Sequence, residues 1–140
     1  MWQVICDKMG ALEKEISSEK GDFSLFGLFR REDAGNKWDL IVSAPWLQAD
    51  TKRGLDYLAD KVRAKLSEKE LLSMSRIVVL EAGNPVVDAI RKSVQDTRHE
   101  QDVRHEKVEL ENQDFAGVRV AYACISTSTA PAPTVRRSGW

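Results

Sequence analysis

Asp39 and Glu81 are the two carboxylates whose surroundings could support chemistry. Each lies in or at the end of an apolar run, WDLIV and VVLEAG, of the kind that forms the inside of a sheet. Carboxylates on adjacent strands can hold Mg²⁺ for attack on a phosphodiester, because oxygen ligands suit a hard cation and the cation activates water. Nucleases of this kind usually carry Glu-x-Lys on the later strand. Here Ala82 and Gly83 follow Glu81, so that lysine is missing. Plainer roles are a cap on the helix beginning at Asn84-Pro85 for Glu81, and an ion pair with Arg30 or Arg31 for Asp39. His99 and His105 are six apart. On a helix that spacing turns the rings about 120° apart, and on a strand it separates them by roughly 20 Å. Neither geometry makes a two-histidine metal site, so no metal site is expected.

The stretch LFGLFRREDAGNKWDLIV loosely resembles the signature of the small nucleotidyltransferases. That signature is an apolar strand, Phe-Gly-Ser, an arginine-bearing turn, then Asp-x-Asp leading into a second apolar strand. In that family the aspartates hold a pair of Mg²⁺ ions for nucleotidyl transfer. The resemblance therefore implies metal-dependent transfer with Asp39 as a ligand, and it covers residues 25–42. Leu28 stands at the serine position and Lys37 at the first aspartate, while Gly27 and Asp39 match.

Three further residues are candidate ligand contacts. Gly27, inside a strand, marks a bulge or a close approach of backbone. Arg30 ends the same strand, and Trp46 lies in a connection, less committed to a core than Trp2 or Trp38. No serine has a Gly-x-Ser-x-Gly setting, and no phosphate-cradling glycine loop occurs.

These residues need a scaffold, and the patterning specifies one. Trp2, Ile5, Met9, Leu12 and Ile16 form a helical stripe, which Gly21 closes. Phe23–Arg30 and Trp38–Ala44 read as an antiparallel hairpin around Asp33, Gly35 and Asn36. A helix over 51–66 follows, with Asp50 as its N-cap. Ser67-Glu-Lys-Glu70 is a capping box that opens a short helix. Arg76–Glu81 is the third strand, parallel to the second through a right-handed crossover. Asn84-Pro85 starts a helix to about Val94. A polar connector covers 95–107, and a terminal hairpin turns at Asn112-Gln113-Asp114. Strands apolar on both faces belong in the middle of a covered sheet. The expected fold is α/β (α+β mixed): a five-stranded mixed sheet with helices on both faces, in the order α-β-β-α-α-β-α-β-β. Residues 1–127 form one domain and 128–140 a flexible Pro-rich tail.

At 140 residues the chain suits one domain. Its net charge of −1 makes a nucleic-acid partner unexpected. Cys6 and Cys124 fall in apolar patterns without Cys-x-x-Cys, and read as buried free thiols of a reducing cytoplasm. The N-terminus carries early charges unlike a signal peptide, and no run approaches the roughly 20 residues of a membrane span. The functional expectation is a cytoplasmic binding or regulatory module without its own catalysis or cofactor. Its partner is a protein or a second copy met through the N-terminal helix, no membrane is involved, and a small molecule is left open. The alternative is a nucleotidyl- or phosphoryl-transfer enzyme, or a degenerate relative, using Asp39 and Glu81.

Overall fold

Nineteen residues of near-continuous helical periodicity open the chain as α1 (Trp2–Lys20). Its stripe of Ile5, Met9, Leu12 and Ile16 is buried against the protein's own sheet, so the apolar face that suggested self-association is used internally. Gly21 ends the helix at φ 117°, a left-handed conformation that glycine adopts without a Cβ clash, and its N–H donates to the Ser17 carbonyl. The computed structural model describes residues 2–32, 37–81, 83–101 and 108–127. The expected turn at 33–36, His105 and the 128–140 tail fall outside those residues.

Strands β1 (Leu25–Arg31) and β2 (Trp38–Ser43) form the expected antiparallel hairpin, with Phe29 opposite Asp39. Pro45 stops β2 and starts a short helix, α2 (Pro45–Ala49), in what read as a plain connection. It buries Leu47. α3 (Thr51–Lys65) begins where the Asp50 carboxylate accepts from the Arg53 N–H. α4 (Glu68–Leu72) has both halves of the Ser67/Glu70 capping box. β3 (Met74–Val79) then runs parallel to β2, and α5 (Pro85–Gln101) crosses back. Asn84 accepts from the Val86 N–H at its start, as the Asn-Pro pair foretold. α5 runs past Val94 into the polar segment. A polar run can continue a helix once its first turns are packed, and the lack of an apolar stripe in the sequence hid this extension.

β4 (Val108–Phe115) and β5 (Val118–Thr127) complete a five-stranded mixed sheet in the order β3-β2-β1-β5-β4. This is an α+β fold with the element order read from the sequence plus the extra α2. Two placements differ from expectation. β3 is an edge strand among the described residues, with Val78 and Val79 only half-buried, because β2 is flanked by β1 on its other side. The terminal hairpin turns at Ala116-Gly117 rather than at residues 112–114. Both turn residues have positive φ, 55° and 94°, and Asp114 accepts from the Gly117 N–H at 2.8 Å. Such two-residue loops match the twist of the strands, and this one places Phe115 in the core. Ala116 holds a left-handed backbone at a steric cost that asparagine or glycine largely avoids. Ala116→Asn should therefore raise the unfolding free energy by about 0.5–1 kcal/mol. A denaturant midpoint that stays level or falls would remove the strain argument.

Side-chain alternation splits the core. Phe26, Leu28, Leu40 and Val42 meet α1 and α3, with Leu58 and Val62. Leu25, Phe29, Ile41, Val120 and Ile125 meet Val87, Ile90 and Val94 of α5. Helices thus cover both faces. Cys6 of α1 and Cys124 of β5 are joined by a disulfide with a Cα separation of 6.4 Å, and both are buried. This corrects the reading of two free thiols. Their 118-residue separation gave no local signal, and only the packing of α1 on β5 brings them together.

A polar tie fastens the same helix to α4. Lys8 donates to Glu70 at 2.7 Å, and the same oxygen accepts from the Ser67 backbone N–H. The Lys8 ammonium, followed by the Ser67 N–H, holds the Glu70 carboxyl below its ordinary value of 4.5. A lowered folded-state pKa contributes stability that is present above 4.5 and lost as pH falls through the lowered value. Glu70→Gln should be less stable than the native chain at pH 7, with the gap closing below pH 4.5. A gap constant across that range in urea melts would show that the charge is not involved.

Candidate functional site

Asp39 is the one candidate whose side chain is both charged and fully buried, at 1 % exposure. It faces the α5 side of the sheet, as Ile41 does two residues later. Its Oδ2 accepts from Arg31 Nε at 2.9 Å, and Arg76 Nε lies 3.4 Å away. The β1–β2 register explains the first contact, because Phe29 opposes Asp39 and Arg31 is the next same-face residue. The β2–β3 register explains the second, because Asp39 pairs directly with Arg76. Oδ1 has no hydrogen-bond partner.

The other candidates are elsewhere. Glu81 is exposed, just beyond the far end of β3. Arg76 pairs with Asp39, and Glu81 is five residues further along, so the two carboxylates stand roughly 16 Å apart at about 3.3 Å per residue. They do not share a site. No group of three or more His, Cys, Asp or Glu side chains among the described residues could hold a metal ion.

Arg30 points to the opposite face from Arg31. Its guanidinium lies 5.4 Å from the centre of the Trp38 ring, and Tyr122 meets that ring edge-on. Arg30, Trp38 and Tyr122 thus form a cross-strand row of stacked groups. Gly27 is explained by packing: a Cβ there would come within 2.9 Å of the Phe29 ring and 3.2 Å of the Cys124 carbonyl oxygen. Trp46 lies at the other end of the sheet. Its indole N–H donates to the Gly21 carbonyl at 3.2 Å, and its ring meets Phe23 and Tyr57 edge-on. It latches the turn after α1 onto α3.

Around Asp39 the surface is basic. Arg31, Arg119 and Glu32 line a shallow hollow of about 320 Å³ with Gly117 and Val118. Arg119 pairs with Glu32 at 3.4 Å. Of the ion pair expected for Asp39, Arg31 is the partner and Arg30 is not. Arg76 was missed, although parallel pairing of the second and third strands could have pointed to it. No protein-family description, curated protein or solved structure matches this chain. No helix among the described residues is long and apolar enough to cross a membrane.

Proposed function

We propose that this chain is a binding or regulatory module with no catalysis of its own. The observation that carries the reading is Asp39, whose carboxylate is buried and ion-paired through Oδ2 with Arg31 and Arg76. Metal-dependent nucleotidyl or phosphoryl transfer, the runner-up, needs Asp39 and Glu81 at one cation, and the strand register holds them at opposite ends of β2 and β3. The apolar stripe of α1 is consumed by its own sheet, so a protein partner or a second copy would use another surface. A cytoplasmic setting requires the buried Cys6–Cys124 bond to form in a reducing compartment, where disulfides are uncommon.

Thermal melts test the reading. Adding Mg²⁺ or Mn²⁺ with a nucleoside triphosphate should leave the midpoint of the native chain unchanged. A rise that disappears in Asp39→Asn would replace the binding module with a nucleotide-handling enzyme.

A further inference from the structure

We propose that the docking of α1 gates the Cys6–Cys124 bond, so that helix and bond form one coupled redox switch. The proposal stands apart from the binding-module reading and does not rest on it. Reduction of a disulfide needs a thiolate to reach one of its two sulfurs. Cys6 is 0 % exposed and Cys124 is 1 % exposed, so neither sulfur admits a thiolate while α1 lies on the sheet. The helix itself is the cover. It carries Cys6, and its Ile5, Met9, Leu12 and Ile16 pack in the core layer that holds Leu28, the residue opposite Cys124. Both cysteines of the chain are in this bond, so no internal thiol can open it.

The electrons come from outside, from a dithiol reductant. One of its thiolates attacks a protein sulfur, the sulfur–sulfur bond breaks, and the other protein sulfur leaves as a thiolate. The second thiolate of the reductant then attacks the mixed disulfide, which closes a disulfide within the reductant and frees the remaining cysteine. Two electrons pass to the protein, and the two protons lost by the reductant end on Cys6 and Cys124 through water.

Polar ties hold the cover down. Lys8, two residues beyond Cys6, donates to Glu70 of α4 at 2.7 Å. Further along the helix, Lys65 and Lys61 of α3 pair with Glu15 and Glu19. Gly10 lies between these ties, and glycine is a poor helix former, so α1 is weakened next to the turns that carry Cys6. Two buried thiols behave as small apolar side chains, so the reduced chain keeps its core while α1 loses its covalent pin. Linkage makes the effect mutual. The factor by which reduction favours lifting of α1 is the factor by which lifting favours reduction.

The test treats the full chain with dithiothreitol under native conditions and counts thiols by alkylation and mass. Reduction should run at least about 100-fold slower than in denaturant, and should rise only weakly with low urea, because lifting one helix exposes little surface. Lys8→Met should speed it about threefold, whereas Arg63→Ala, whose pair with Asp60 lies within α3, should leave it unchanged. In the reduced chain the amides of Cys6 to Met9 should exchange hydrogen at least about tenfold faster, while those of Val87 to Val94 in α5 keep their rates. Native reduction as fast as in denaturant would overturn the proposal, as would a urea dependence as steep as that of global unfolding. So would unchanged exchange in α1 after reduction, or two free thiols in the chain before any reductant is added.

Discussion

Replacing Cys6 and Cys124 together with alanine is expected to lower the unfolding free energy by about 3–5 kcal/mol. The bond joins residues 118 apart, so it removes a large share of the unfolded chain's freedom. Loop-closure entropy grows only with the logarithm of length, and a loop of roughly 100 residues sits near the upper end of the usual range. The bond also fastens α1 to β5 across the middle of one core layer, where Cys124 lies opposite Leu28 of β1. Reduction with dithiothreitol should reproduce the loss in the native chain and change nothing in the double variant. Alkylation of the denatured, unreduced protein should label neither sulfur. Equal unfolding midpoints with and without reductant would show that the bond contributes nothing.

Arg31→Ala should be the second large effect, about 3 kcal/mol, because it strips a fully buried carboxylate of its closer partner. Arg76→Ala should cost under about 1 kcal/mol, since that side chain is 56 % exposed and water replaces its contact. The inequality is the test. If the two variants lose equal stability, Asp39 is not anchored chiefly by Arg31. A double change, Arg31→Met with Asp39→Leu, should recover most of the loss, because a buried pair exchanged for apolar groups of similar size is often nearly neutral. Recovery would also show that the pair can be replaced by apolar packing at the strand ends.

Local pattern accounts for a good part of this fold. The α1 stripe, the Asp50 and Ser67 caps, the Asn84-Pro85 start and the β1–β2 hairpin each depend on residues a few positions apart, whose preferences act before any tertiary contact forms. The parallel pairing of β2 and β3 was also legible, because a strand–helix–strand stretch of that length crosses over in only one favourable way.

Where each strand lies in the sheet was not legible. Three runs apolar on both faces all suited a central position, yet a sheet has two edges, and β3 takes one because β5 competes successfully for the other side of β1. The hairpin turn moved to Ala116-Gly117 because burying Phe115 outweighs the turn preference of Asn112 and Asp114. For the candidate site, the sequence supplied Asp39 and one of its partners. It also offered Glu81, Gly27, Arg30 and Trp46, which the fold sends to the far end of β3, a tight backbone contact, the opposite face and the α1 turn.

Residue type and spacing alone set most of the elements, their caps and the charge carried by each. Partnership across the chain was decided only by tertiary structure: Cys6 with Cys124, Arg76 with Asp39, and the edge position of β3. The physical reason is that helix and turn preferences are local free energies, written in neighbouring residues. Pairing of distant groups depends on which buried surfaces fit together, and that competition is settled only when the whole core closes.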